Sequence, residues 1–191
     1  AQTLTANLIT PSTLALRILK GGSIVKASTY TLTINGPFEA GTYQVFSGFD
    51  SGDVTFGAET TSAVIPQWWG VNTSPGTTDM TIPIQSAISA FNAVFFLKGT
   101  YLTTAELTVP VSRTLIGADR ATTIIYYNGL ESGITHTNTV NSSGYGRVTI
   151  RNLTIQSSNA SNVGAGIDLQ AGGYAYYELD TVQVSGYFQY G

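Results

Sequence analysis

Apolar positions in this chain recur in short bursts of three to five residues, separated by Gly, Asn, Ser and Thr. Tyr30-Thr31-Leu32-Thr33-Ile34 alternates, with Leu32 and Ile34 on one face, as a half-buried strand does. Asn35-Gly36-Pro37 then reads as a turn. Tyr43, Val45 and Phe46 give a further strand, and Val54-Thr55-Phe56 another, with Asp50-Ser51-Gly52-Asp53 turning between them. The first twelve residues read as an extended arm or a first strand. Residues 1–65 are therefore expected to form a strand-rich leader. The texture changes at Pro66-Gln67-Trp68-Trp69-Gly70. One helix is predicted after it. Asp79 or Thr81 can cap its first amides, Pro83 falls in its first turn, and Ile84, Ile88 and Phe91 share one face. Such a stripe must be buried, so the helix covers something. From residue 93 onward short strands and turns alternate. Among them Ile150-x-x-Leu153-x-Ile155 recurs 29 residues on as Leu179-x-x-Val182-x-Val184. A fixed spacing of this size between short strands is the mark of one coil stacked on another. Two similar strands of an ordinary sandwich are the alternative.

Several spaced elements carry a resemblance. Trp69-Gly70-Val71, the run Thr78-Asp79-Met80-Thr81-Ile82-Pro83-Ile84-Gln85-Ser86-Ala87-Ile88, then Val94-Phe95-Phe96-Leu97-Lys98-Gly99-Thr100-Tyr101 and Leu115-Ile116-Gly117 stand in order. This resembles the N-terminal signature of the pectate-lyase-like, single-stranded right-handed β-helix superfamily, which includes phage tailspikes and polysaccharide-degrading enzymes. The upstream segments Thr31-Leu32-Thr33-Ile34-Asn35-Gly36 and Gln44-Val45-Phe46 resemble the leader that precedes it. The resemblance spans roughly residues 14–190, with Met80 and Lys98 departing from the usual Asp and Pro. It implies an all-β fold: a short right-handed parallel β-helix with one N-terminal capping α-helix, preceded by a small strand-rich leader. The leader is then residues 1–65, and the capping helix and coils residues 66–191. The signature holds no catalytic residue, because the family's reactive groups usually lie on later coils.

Composition narrows the chemistry. Only 10% of the 191 residues are charged, with eight basic and eleven acidic side chains and no basic cluster, which argues against nucleic acid as a partner. No apolar run is long enough to span a bilayer. Cysteine is absent and His136 is the single histidine, so thiol catalysis, disulfides and His- or Cys-based metal sites are excluded, and no metal or cofactor is expected. Low charge, abundant Thr, Asn, Ser and Gly, and no thiols suit an extracellular, cell-surface or virion location.

Three groups of candidate residues remain. Asp168, Glu178 and Asp180 are the carboxylates of the last coils and flank apolar neighbours, so they point outward and are the candidates for acid–base chemistry on a polysaccharide. An ordinary solvated face is the competing reading. Trp68 and Trp69 could stack on sugar rings, or pack at the leader–helix junction. Tyr174, Tyr176, Tyr177, Tyr187, Phe188 and Tyr190 crowd the C-terminal region, and so aromatic a surface is expected to be an assembly interface. His136, in a Thr/Asn/Ser-rich segment, is expected to decorate a loop.

A coil capped at one end leaves open strand edges at the other, and such edges are covered or paired. Either the natural polypeptide continues beyond residue 191, or another subunit covers the last coil. The sequence therefore points to a structural extracellular or virion protein that assembles with copies of itself, head to tail into a fibre or filament or laterally into a trimer. The alternatives are the N-terminal part of a polysaccharide lyase or hydrolase, and a glycan-binding module. The leaning is away from an enzyme.

Overall fold

The computed structural model describes residues 1–137, 146–170 and 175–190. The chain is mostly β, with parallel sheets, and divides into two compact units: Ala1–Val71 with Ile82–Val94, and Asn72–Thr81 with Phe95–Gly191.

The first unit begins with eight very short strands: β1 (Gln2–Leu4), β2 (Leu8–Thr10), β3 (Leu16–Ile18), β4 (Ile24–Lys26), β5 (Leu32–Ile34), β6 (Phe38–Ala40), β7 (Phe46–Ser47) and β8 (Val54–Phe56). They form three parallel sheets in the orders β1-β4-β7, β2-β5-β8 and β3-β6. Gln2 lies beside Ile24 and Ile24 beside Phe46, while Leu8, Leu32 and Val54 make a second row and Leu16 and Phe38 a third. The chain thus returns alongside itself every 22–24 residues. A parallel pair needs a long connection, and here each connection is made of strands of the other two sheets.

The inward positions of these rows are large. Phe38, Phe46, Phe49 and Phe56 meet Trp68, Trp69 and Phe91 in a buried cluster, with neighbouring ring centroids 5.0–6.5 Å apart. Pro66–Trp68 is a single 3-10 turn, and the Trp68 Nε1–H donates to the Gly41 carbonyl at 2.9 Å. The helix α1 (Thr81–Ala90) buries Ile84 and Ile88, with Phe91 just beyond it, as its periodicity predicts. The expected boundary at 65/66 falls inside this unit, and α1 residues 82–90 go with it rather than with the later coils. The aromatic cluster is the reason: it ties Trp68, Trp69 and Phe91 to the strands of the leader.

In the second unit the strands are β9 (Ala93–Phe96, of which only the last two residues belong here), β10 (Gly99–Thr103), β11 (Leu107–Thr108), β12 (Arg113–Gly117), β13 (Thr123–Tyr127), β14 (Ile134–Thr137), β15 (Gly146–Ser157), β16 (Ile167–Gln170) and β17 (Ala175–Gly186). The larger sheet has the order β10-β13-β15-β12-β9, with β17 on β15, and the smaller is β11-β14-β16. Strand β15 serves two neighbours. Its residues 148–151 pair with β12, its residues 154–157 with β13, and β17 runs along both halves. Between the halves Asn152 adopts a left-handed conformation (φ 54°), and Thr181 repeats it in β17 (φ 55°). This stacked corner curls the sheet. The repeat seen in the sequence is the register itself: Ile150 lies beside Leu179, Leu153 beside Val182 and Ile155 beside Val184. No helix among the described residues is long and apolar enough to cross a membrane.

Residues 72–81 run along β10, the edge strand at one end of the larger sheet. Gly76 N–H donates to Thr100 O and Met80 N–H to Leu102 O. Asp79 fixes the end of this segment. Its Oδ1 accepts from the Thr81 amide (2.9 Å) and hydroxyl (2.6 Å), and its Oδ2 from the Thr104 hydroxyl (2.8 Å). Partial burial acts to raise the Asp79 carboxyl, but the bonds from Thr81 and Thr104 outweigh it and hold the group below its ordinary value. A depressed carboxylate stabilises the fold above its unfolded-state pKa, and that stability disappears as the pH falls through the folded-state pKa. Asp79→Asn is therefore expected to cost on the order of 1 kcal/mol near neutral pH, the side chain being largely exposed. The gap should close at strongly acid pH. Urea unfolding of both proteins at the two pH values checks this, and a gap independent of pH would show that the carboxylate charge is irrelevant.

Candidate functional site

The rows of inward side chains in the second unit change abruptly at β17. Leu115 and Ile150 are fully buried, yet Leu179, the next rung of the same row, is 51% exposed. Tyr101, Ile125 and Ile155 are likewise fully buried, and Val184 beyond them is only partly buried. Strand β17 is twelve residues long and its one partner in the sheet is β15. An edge of that length with apolar side chains uncovered invites pairing with another chain.

The aromatic residues of this region divide. Tyr176, Tyr187 and Tyr190 are 58–65% exposed and flank the uncovered rungs. Tyr177 and Phe188 are half-buried. The Tyr177 ring meets His136 edge-on at 5.6 Å, burial raises its hydroxyl pKa, and Phe188 stacks on Tyr127 at 6.0 Å. Tyr174 lies outside the described residues. His136 is part of β14 rather than a loop, since its ring is buried and its Nδ1–H donates to the Val109 carbonyl at 2.6 Å.

The three carboxylates singled out by the sequence are not brought together. Glu178 is held by two guanidiniums, Arg151 at 2.6 Å and Arg147 at 3.2 Å, so its carboxylate is committed to these ion pairs. Asp180 is exposed and accepts from the Thr181 hydroxyl. Asp168 lies in the other sheet, on β16, where the Gln170 amide donates to it.

Asp168 does have carboxylate company, on the turns beside the smaller sheet. Thr104, Glu106, Tyr127, Asn128 and Glu131 line a hollow of about 370 Å3. Glu106 immediately precedes β11, and Leu107 pairs with Ile134, which brings the turn carrying Glu131 alongside. Burial raises the Glu106 carboxyl above its ordinary value. The Glu131 and Asp168 charges push the same way, against an opposing hydrogen bond from Thr135. Asn162 sets the turn: its side-chain amide donates to Gly129 O at 3.0 Å and Glu131 O at 2.8 Å, and its oxygen accepts from the Gly164 N–H at 2.8 Å. Tyr127, buried with its pKa raised by desolvation, accepts from the Glu131 N–H at 3.2 Å.

The chain matches no family model, no curated protein and no solved structure.

Trp68 and Trp69 are each 5% exposed within the aromatic cluster of the first unit, so neither indole offers a face to a sugar. Glu106 and Glu131 carry no sequence signal of their own. The 27-residue register from Leu107 to Ile134 brings them together.

Proposed function

We propose that this chain is a structural protein, a short right-handed β-helix subunit that assembles with copies of itself through the open β17 edge. The observation that carries this reading is the break in the row Leu115–Ile150–Leu179, buried at two rungs and half-exposed at the third. The β-helix reading is supported by the parallel registers, by the chain's return alongside itself every 22–24 residues in the three sheets of the first unit and by the resemblance of residues 69–117 to the pectate-lyase-like signature. Covering one such rung stabilises an interface by roughly 1 kcal/mol, and Tyr176, Tyr187 and Tyr190 add large amphipathic surfaces of the kind interfaces favour. The sparse charge fits an extracellular, cell-surface or virion setting, where a fibre, filament or trimer would form.

Sedimentation velocity and electron microscopy of the purified chain test the reading. Concentration-dependent assemblies are expected, and Leu179→Lys combined with Tyr187→Ser and Tyr190→Ser should weaken association by about tenfold or more. A monomer at every concentration would overturn it.

A second reading, an acid–base enzyme acting on a polysaccharide, draws on Glu106. A carboxyl raised by burial and by neighbouring carboxylates is shifted in the direction that the acid of such a step requires. Release of reducing ends or unsaturated uronides from polysaccharides, abolished by Glu106→Gln, would favour it over the structural role.

A further inference from the structure

An asparagine side chain can be attacked by the backbone nitrogen of the residue that follows it. The attack is easiest when that residue is glycine, which has no Cβ to hinder it. Asn-Gly occurs twice in this chain, at Asn35-Gly36 and at Asn128-Gly129, in different surroundings.

Asn128 follows β13, in the turn that lines the hollow together with Glu106 and Glu131. It is exposed, and its side chain makes no hydrogen bond among the described residues. The bonds that hold the turn bypass the reacting groups. The Asn128 N–H donates to Thr103 O at 2.8 Å, and the carbonyls of Gly129 and Glu131 accept from the Asn162 side chain. The Gly129 N–H is left without a partner among the described residues. Glycine is imposed at this position. A Cβ on residue 129 would stand 2.2 Å from the Tyr127 hydroxyl oxygen and 2.4 Å from Cζ. That ring has no room to swing away, being buried, stacked on Phe188 and bonded to the Glu131 N–H. The fold thus sets an unhindered nitrogen after an unrestrained asparagine.

Asn35 is held instead. It is half-buried between the turns of neighbouring rungs, its N–H donates to Thr10 Oγ1 at 3.2 Å, and its Oδ1 lies 2.9 Å from where a Cβ on Gly57 would stand. Gly36 is buried, its Cβ position only 2.0 Å from Leu14 O. Closing a ring there requires the packed turns to open first, at a cost in local unfolding.

We propose that Asn128 is a site of spontaneous deamidation, a covalent modification that needs only water and adds a carboxylate to the hollow of Glu106 and Glu131. The Gly129 nitrogen gives its proton to solvent and attacks Asn128 Cγ. The N–Cγ bond forms, the Cγ–Nδ2 bond breaks, and Nδ2 takes a proton from solvent and leaves as ammonia. Water then opens the succinimide at either carbonyl, giving aspartate or isoaspartate, and nothing is oxidised or reduced. The site depends on neither functional reading above. Its product acts on Glu106, which already feels the charges of Glu131 and Asp168, so a further carboxylate on the hollow raises the Glu106 carboxyl again.

Incubation of the purified chain in mildly alkaline buffer, followed by peptide mapping with mass spectrometry, tests the proposal. In the native protein Asn128 should convert about tenfold or more faster than Asn35, because Asn35 must wait for local opening. In concentrated guanidinium chloride the two rates should come within about threefold of each other, since the packing that protects Asn35 is then gone. Ammonia release by the native protein should fall to background in Asn128→Gln, whose side chain would have to close a larger ring. An Asn128 that stays intact, equal native rates at the two sites, a tenfold ratio that persists in denaturant, or undiminished ammonia release from Asn128→Gln would each overturn the assignment. The consequence is read separately with Asn128→Asp, the product itself. By nuclear magnetic resonance titration its Glu106 should titrate at higher pH than in the parent protein. An unchanged Glu106 would show that the new charge does not act in the hollow.

Discussion

Phe46→Ala is expected to destabilise the first unit by about 3–5 kcal/mol. Phe46 is fully buried on strand β7, and its ring lies between 5.0 and 6.1 Å from those of Phe38, Phe49, Phe56 and Trp69. Truncation removes the transfer free energy of the ring and leaves a cavity, and the cavity cannot collapse easily. Its walls are rigid aromatic rings fixed by three-residue strands on either side. A domain of this size has a total stability of about 5–15 kcal/mol, so the loss would bring the unit near its unfolding threshold at room temperature. Both tryptophans of the chain sit in the same cluster, so their fluorescence reports on it directly. Urea unfolding followed by tryptophan emission should show the shift, with Leu19→Ala, at 65% exposure, as a control that stays within about 0.5 kcal/mol. A Phe46→Ala cost under about 1 kcal/mol would mean that the cluster is loosely packed.

The pattern of short apolar bursts was enough to locate most strands and the single helix, because each burst alternates and α1 carries one apolar face. The 29-residue repeat predicted the β15–β17 register because that coil pair is the one in which both strands are long and the spacing is constant along both halves. The leader gave no such signal, although it repeats more regularly. Its rows hold different residues at each rung: Gln2, Ile24 and Phe46 in one, Thr10, Ile34 and Phe56 in another. A three-residue strand offers one or two inward positions, and side-chain volume there changes from rung to rung, so the period survives in the backbone and not in the residue types. In the second unit the steps differ, being 24 residues from Gly99 to Thr123, 29 from Gly146 to Ala175 and 35 from Arg113 to Val148, as turns of different length intervene. Glu106 and Glu131 were illegible for the same reason: turn residues carry no periodicity, and their neighbourhood exists only once the register is known. The sequence leaves the two tryptophans open between sugar stacking and packing at a junction, because it cannot show how many phenylalanines surround them.

The corner of the larger sheet is the other place where one atom decides the fold. Ile116, Arg151 and Asp180 are in register on β12, β15 and β17, and Gly117, Asn152 and Thr181 follow them in their strands. A Cβ on Gly117 would stand 2.1 Å from the Asn152 carbonyl oxygen and 2.9 Å from its carbon. These are backbone atoms of a turn whose φ is already left-handed, so they cannot yield as a flexible side chain would. Gly117→Ala must therefore pry β12 from β15, at a cost of about 3 kcal/mol or more, the upper end for overpacking. Thr181 presents the opposite case. It is exposed, and a β-branched residue at positive φ bears a backbone strain of roughly 1 kcal/mol or more that asparagine tolerates better. Thr181→Asn should stabilise the same corner by some tenths of a kcal/mol up to about 1. Thermal unfolding by circular dichroism separates the two. For a chain of this length about 2–4 °C corresponds to 1 kcal/mol, so Gly117→Ala should lower the midpoint by about 6 °C or more, and Thr181→Asn should raise it by up to about 4 °C. Changes of the same sign at both positions would mean that the stacked left-handed corner is not what sets the bend.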